Sequence, residues 1–236
     1  MGKRIIMQRR GKGSKTYRVN KKSFIYKIQY PPRLSGEGIV VELLASKAHT
    51  APLAKIEYIK ENKKSYFYVP AFKGMQEGQK INFESKEVKD GNIMKVADIP
   101  VKTPIHCIES RTGDGGKLMK SAGSSAMISR IVGDSIYVLL PSKKEKKLNG
   151  KCRAIVGVVA GHGRLDKPIL KAGKKHHMKK SKNKLWPRTS ACKMNAIDHP
   201  FGSGRGKVPK SRIAKRNSAP GQKVGLIRPK RTGKKK

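Results

Sequence analysis

With 236 residues the chain is long enough to bury a sizeable core, yet it carries 56 Lys and Arg against 15 Asp and Glu, a formal net charge of +41. That excess goes far beyond what solubility needs and makes a free monomer repel itself, so the main partner expected is a polyanion. The three cysteines, Cys107, Cys152 and Cys192, are far apart and form no Cys-x-x-Cys pair, which excludes a disulfide framework and a zinc ribbon.

No acid precedes Glu37, and only Asp166 and Asp198 follow Glu145. Charge therefore divides the chain into a basic N-terminal arm, a mixed centre and a longer basic C-terminal region, the pattern of nucleic-acid-binding tails on a folded body. The first arm, residues 1–34, opens MGKRIIMQRRGKGSK and has no signal-peptide apolar stretch. Arg4, Arg9, Arg10 and Lys12 are followed by Tyr17, Phe24, Tyr26 and Tyr30. Such a mixture suits phosphate contacts plus stacking on unpaired bases, against the plainer alternative of a solvated tail whose aromatics pack on the body.

From residue 35 to 85 the character is β. The run Gly38–Leu44, then Leu53–Ile59, Ser65–Val69 and Lys80–Phe83, are short, rich in β-branched residues and broken by polar turns such as Glu61-Asn62-Lys63-Lys64. This spacing predicts a small antiparallel barrel, with no capped helical stripe. A second β unit spans 86–162. Asp90-Gly91-Asn92 predicts a hairpin turn into Ile93–Val96, and further runs follow at Pro104–Ile108, Ala126–Val132, Ser135–Leu140 and Cys152–Ala160, with a turn at Gly133-Asp134. Cys107 and Cys152 fall inside apolar runs and are expected as small core residues in a reducing cytosol. No apolar run approaches a membrane span, so a soluble, intracellular protein is expected.

Residues 163–236 are dense in cations and poor in aliphatic residues, so this region is expected to be extended and ordered by what it touches. Arg164, Lys167, Lys171 and Lys174 lead into Lys175, His176, His177, Lys179 and Lys180, where both imidazoles read as extra donors to phosphate or base edges. Trp186, the only tryptophan, precedes Pro187 and Arg188; it either stacks on a base or anchors the tail to protein. Farther on come Asn195, Asp198, His199, Arg205, Lys207, Arg212, Arg228 and Arg231.

Three patterns invite catalytic or metal readings. Gly113-Asp114-Gly115-Gly116-Lys117 and Gly202–Val208 lack the spacing and hydroxyl of a nucleotide-phosphate loop; both are expected to offer bare backbone N–H groups to RNA phosphate, with Lys117 beside them. His162, His176, His177, Cys192 and His199 fit no zinc spacing, the paired histidines lying on one strand or coil. Asp198-His199 could orient an imidazole for general-base work, but no nucleophile motif accompanies it, and loop shaping by Asp198 is the simpler reading.

These residues carry a resemblance. GRLDKPILKAGK at 163–174, Trp186-Pro187 and Met194-Asn195-Ala196-Ile197-Asp198-His199-Pro200 resemble the signature of the universal large-subunit ribosomal protein L2 family, in its archaeal and eukaryotic branch. The N-terminus, Ala51-Pro52-Leu53-Ala54-Lys55, Gly113–Lys117, Leu140-Pro141-Ser142, Ser218–Gly225 and Arg231-Thr232-Gly233 fit as well, so the likeness covers essentially the whole chain.

The resemblance implies a mainly β fold, an OB-fold barrel (35–85) followed by an SH3-like barrel (86–162), with basic arms at 1–34 and 163–236 extended into ribosomal RNA. It also implies a non-catalytic constituent of the cytoplasmic large subunit. Such a protein binds 23S-type rRNA near the peptidyl-transferase centre and supports subunit association, tRNA binding and assembly. Its partners would be rRNA, neighbouring ribosomal proteins and the small subunit at the intersubunit face, with no membrane, homo-oligomer or cofactor beyond Mg2+ or K+ held by the RNA. Asp198 and His199 carry over as the loop reaching towards that centre. Phe201 and Ser203 stand where the family commonly has a second His and a Gly-rich run, which argues against any role needing two imidazoles and leaves stacking by Phe201 open.

Overall fold

The computed structural model describes residues 2–85, 87–207 and 214–227. It is mainly β and divides into two compact units: Lys21–Leu170, and a second built from both chain ends, Met1–Asn20 with Lys171–Lys236. The larger unit holds ten strands in one sheet, β1 (Gly36–Leu44), β2 (Leu53–Lys60), β3 (Lys63–Pro70), β4 (Lys80–Phe83), β5 (Ile93–Lys95), β6 (Pro104–His106), β7 (Ala126–Val132), β8 (Ser135–Leu139), β9 (Glu145–Asn149) and β10 (Arg153–Val156). Their order across the sheet is β3-β2-β1-β4-β5-β10-β6-β7-β8-β9.

The period-2 pattern explains the first half. In β2, Ala54, Ile56 and Tyr58 are buried while Lys55 and Glu57 between them are not. Glu61 and Asn62 take positive φ (49° and 58°), the twist-matched turn that closes β2 onto β3 with Lys60 opposite Lys63. One core gathers Val40, Ile56, Phe67, Val69, Ile81 and Phe83; a second gathers Met94, Ile105, Ile128, Ile136, Val138 and Leu148. The first core also draws Ile28, Tyr30 and Leu34 from the chain before β1 and Ile93, Cys107 and Ile155 from the second β-rich stretch.

Two expectations change. The Asp90-Gly91-Asn92 turn is real, with Asn92 N–H donating to the Lys89 carbonyl, but it closes no hairpin: β5 runs parallel to β4, with Phe83 opposite Ile93, and pairs antiparallel with β10. The reason lies in Asn92. Its buried amide accepts from Asn82 N–H (3.1 Å) and donates to the Glu87 carbonyl (3.0 Å), holding the loop against the sheet. Strand β9, sequence EKKLN, was not anticipated; it is an edge strand burying only Leu148, so hydropathy gives it no signal.

Residues 28–34 belong to this unit. Tyr30 N–H donates to the Gly115 carbonyl (3.0 Å), its hydroxyl donates to the Cys107 carbonyl, and both Tyr30 and Leu34 are buried. Beneath them sits the ion pair of Arg153 and Glu109. Arg153 Nη2 donates to Glu109 Oε1 at 2.8 Å, and Nη1 reaches the Pro31 carbonyl at 3.0 Å. Glu109, wholly buried, also accepts from the backbone N–H groups of Arg153 (2.9 Å), Gly115 (3.1 Å) and Gly113 (3.3 Å). Asp114 takes those of Ser110, Arg111 and Gly116.

That arrangement corrects the expectation for Gly113–Lys117. The N–H groups of Gly113, Gly115 and Gly116 turn onto two carboxylates and those of Asp114 and Lys117 onto the Arg111 and Ile108 carbonyls, so the loop presents no anion cradle; an acid placed to accept them is incompatible with phosphate at the same spot. The glycines serve close packing. Gly116 has φ +80°, and a Cβ there would lie 2.5 Å from the Cys107 carbonyl oxygen. Lys117 stays exposed, its Nζ 3.8 Å from Asp114.

Candidate nucleic-acid interface

The second unit contains most of the sequence-predicted RNA-binding residues, and it is built on little apolar surface. Residues 1–20 and 171–236 hold 29 of the 56 Lys and Arg but a single acid, Asp198. Among its described residues the buried hydrophobic side chains are Ile5, Phe201 and Ala214. Hydrogen bonds to backbone carbonyls join the two chain ends: Lys3 N–H donates to the Ile197 carbonyl (2.8 Å), and the Asn183 side-chain Nδ2 to the Arg18 carbonyl (2.6 Å).

The short helix α1 (Ile6–Gly11) carries Arg9 and Arg10, with Gln8 Oε1 accepting the Ile5 N–H at 3.0 Å to close its first turn. Arg4, Arg9 and Lys12 line an open cleft of about 440 Å³ together with Tyr17. Helix α2 (Ala172–Ser181) carries Lys174, Lys175, His176, His177, Lys179 and Lys180, with Lys171 as its N-cap residue. Here the expectation of an extended chain, and of the two histidines on strand or coil, is corrected. AGKKHHMKKS contains no β-branched residue and one glycine, so propensity permits a helix. It has no apolar face and no acid in its first turn, which is why hydropathy periodicity missed it. Like charges at i and i+4, as in Lys175 and Lys179, oppose this helix unless an anion lies alongside.

Trp186 is half-buried next to α2. Lys175 Nζ lies 5.5 Å from the ring and the His176 ring 6.5 Å away, centroid to centroid. Arg188 Nη2 reaches Met7 Sδ at 3.9 Å. Arg164 and Lys167 lie exposed in the larger unit, Arg164 within a 3-10 turn at His162–Leu165. Arg205 and Lys207 are exposed; Arg212, Arg228 and Arg231 lie outside the described residues.

The loop at 194–203 is tightly determined. Asp198 and His199 N–H groups both point to the Asn195 carbonyl, and Gly202 N–H donates to the His199 carbonyl. A Cβ on Gly202 would lie 2.3 Å from the Asn195 carbonyl oxygen. Asp198 is 3.9 Å from Lys3 Nζ and makes no hydrogen bond to His199, so its expected part in shaping the loop is taken by backbone bonds. His199 Nδ1 accepts the Phe201 N–H at 3.0 Å, which requires that nitrogen to be unprotonated; burial also lowers the pKa of the ring. Among the described residues no three His, Cys, Asp or Glu side chains are grouped so as to hold a metal ion.

Comparison with known proteins bears on this surface. A family model described as Ribosomal Proteins L2, C-terminal domain, matches residues 89–221. The large ribosomal subunit protein uL2 of Methanococcoides burtonii is 42% identical over 241 residues, covering 99% of this chain and 100% of its own. Those of Archaeoglobus fulgidus and Methanococcus maripaludis strain C7 are 40% and 41% identical, again over nearly the full length of both chains. The chain belongs to the ribosomal protein L2 family. It is of the archaeal type, and as a member it is a structural ribosomal component, not an enzyme.

Family membership gives the 194–203 loop its context, and the geometry explains the two departures in it. Phe201 is buried, its ring 5.2 Å from that of His199 and so close to Gly225 that a Cβ there would meet it at 2.5 Å. It is therefore part of this unit's small core and is not free to stack on a base. Ser203, at φ +53°, accepts the Ala196 N–H through Oγ at 3.1 Å and so closes the loop. Tyr17, a stacking candidate by sequence, lies beside Trp186 together with Asn183 and Lys184, which sequence reasoning passed over. The signal available was their type alone, since residues 17 and 183 are brought together only by the fold.

Proposed function

We propose that the chain is a non-catalytic constituent of the large ribosomal subunit that binds 23S-type rRNA. Its contacts run through the unit formed by its two ends and through cations flanking the β body, near the peptidyl-transferase centre. In this reading residues 35–85 form the OB-fold barrel and residues 86–162 the SH3-like barrel, and residues 1–34 and 163–236 are the basic arms. The site residues are the exposed cations and rings named above, from Arg4 and Arg9 to Arg205 and Lys207. In this reading the protein works in the cytoplasm and meets neighbouring ribosomal proteins. It meets the small subunit at the intersubunit face, and it supports assembly and tRNA binding.

The observation that carries the reading is the segregation of charge. Twenty-nine cations and one acid share a unit in which three apolar side chains are buried among the described residues, a surface suited to a polyanionic partner. Most contacts should be to phosphate and 2′-OH groups, since A-form RNA hides its base edges. Affinity for an rRNA fragment should fall steeply with salt, and deleting residues 175–236 should flatten the slope of log K against log salt. An unchanged slope in the truncated protein, or equal affinity for random duplex DNA, would count against the reading.

A further inference from the structure

We infer that the cleft beside Trp186 is a receptor for one unpaired RNA base, stacked on the indole with its flanking phosphates on Lys180 and Lys184. The inference rests on the rRNA-binding reading and adds a specific contact to it.

Four observations converge. The indole is half-buried and lies outside the unit's small core, whose buried apolar side chains among the described residues are Ile5, Phe201 and Ala214. It borders an open cleft of about 320 Å³ that Tyr17, His176, Lys180 and Lys184 also line, so rings and cations alternate around one space and no acid is present. The walls come from opposite ends of the chain and are pinned: Asn183 Nδ2 donates to the Arg18 carbonyl, and Lys184 N–H to the Lys179 carbonyl at 2.9 Å. Finally, α2 stacks like charges with no counter-charge of its own, and a phosphate at Lys180 would supply one. Aromatic faces with cations beside them are how proteins hold unpaired bases, because every base has a π-face and brings phosphates with it. A purely phosphate-binding patch would need no ring, and a core tryptophan would not stand open among lysines.

Trp186 is the sole tryptophan, so intrinsic fluorescence reports on this site alone. The full-length protein is titrated with a single-stranded RNA oligomer, with an abasic oligomer of equal phosphate number, and with inorganic polyphosphate. The expected result is quenching by the base-bearing oligomer only. Read by retention of labelled oligomer on a filter, Trp186→Ala should weaken binding of the base-bearing oligomer by roughly 5- to 150-fold, leave abasic binding unchanged, and leave the salt slope unchanged. Trp186→Phe should recover most of the lost affinity, which a loss of folding would not allow. Equal quenching by all three ligands, or oligomer affinity that Trp186→Ala leaves intact, would overturn the proposal. Either result would leave the rRNA reading, judged by wild-type affinity and its salt slope, standing.

Discussion

The two units of this chain solve the problem of charge in opposite ways. In residues 21–170 the cations are diluted by 14 acids, the sheet buries two cores, and the deeply buried Arg153 has its own carboxylate, two carbonyls and the Tyr30 ring around it. In the unit made from the chain ends, one carboxylate faces 29 cations and is itself only half-buried. The first unit pairs its buried cation with a buried carboxylate; the second holds a single acid for all its cations. Burial of apolar surface scales with stability, so the second unit should depend on ligand and salt as the first does not.

Trypsin breaks or sharpens that contrast most directly. Without RNA at low salt, cleavage within residues 1–20 and 171–236 should exceed cleavage within 21–170 by on the order of a hundredfold, and an rRNA fragment should erase the difference. Equal resistance of both regions in the free protein, seen by mass spectrometry of the fragments, would remove the distinction.

Next in size is Glu109→Ala. It leaves Arg153 buried without its carboxylate and frees the Gly113 and Gly115 N–H groups, at a cost of roughly 3–5 kcal/mol in denaturant unfolding. The matching change in the other unit, Asp198→Ala, removes only a 3.9 Å surface pair and should cost no more than about 1 kcal/mol.

A third test uses acid. His106 is buried in β6 between the cores' strands, with Nδ1 donating to the Gly157 carbonyl at 3.0 Å. The Pro70 carbonyl also faces the ring, but Nε2 makes no hydrogen bond. Burial pushes its pKa down to about 4. Because the folded value lies below the unfolded value near 6.5, the unfolded chain binds the extra proton. Stability is therefore full above about pH 6.5 and falls as the pH drops towards 4, by on the order of 3 kcal/mol. His106→Gln should flatten that stretch of the pH profile.

The smallest effects test the glycine loop. Gly116→Ala drives a Cβ into the Cys107 carbonyl and should cost about 2 kcal/mol, whereas Gly113→Ala, at φ +79° with open space around it, should cost about 1 kcal/mol through backbone strain alone. RNA affinity should change little in either, because these N–H groups face carboxylates.

Much of the β unit was legible because burial imposes a period of two. Leu53–Lys60, Lys80–Phe83 and Ala126–Val132 stand out in the sequence as apolar or alternating runs. Strand β9 and helix α2 were not, since neither pays tribute to hydropathy: one is an edge strand with one buried residue, the other a cationic helix with none. The chemistry of the end unit was legible as charge, but its shape was not. Asn183 meets Arg18, and Ile197 meets Lys3, across more than a hundred residues of intervening chain.

The sequence by itself determined the class of partner and the family, because net charge and residue order survive any conformation. Only the tertiary structure decided what individual groups do. It turned the Gly113, Gly115 and Gly116 N–H groups inward to Glu109 and Asp114, buried Phe201, and left Trp186 open beside Lys180 and Lys184. A hydrogen bond or a stacked ring is made by direction and distance, and residues far apart in sequence acquire both only when the chain has folded.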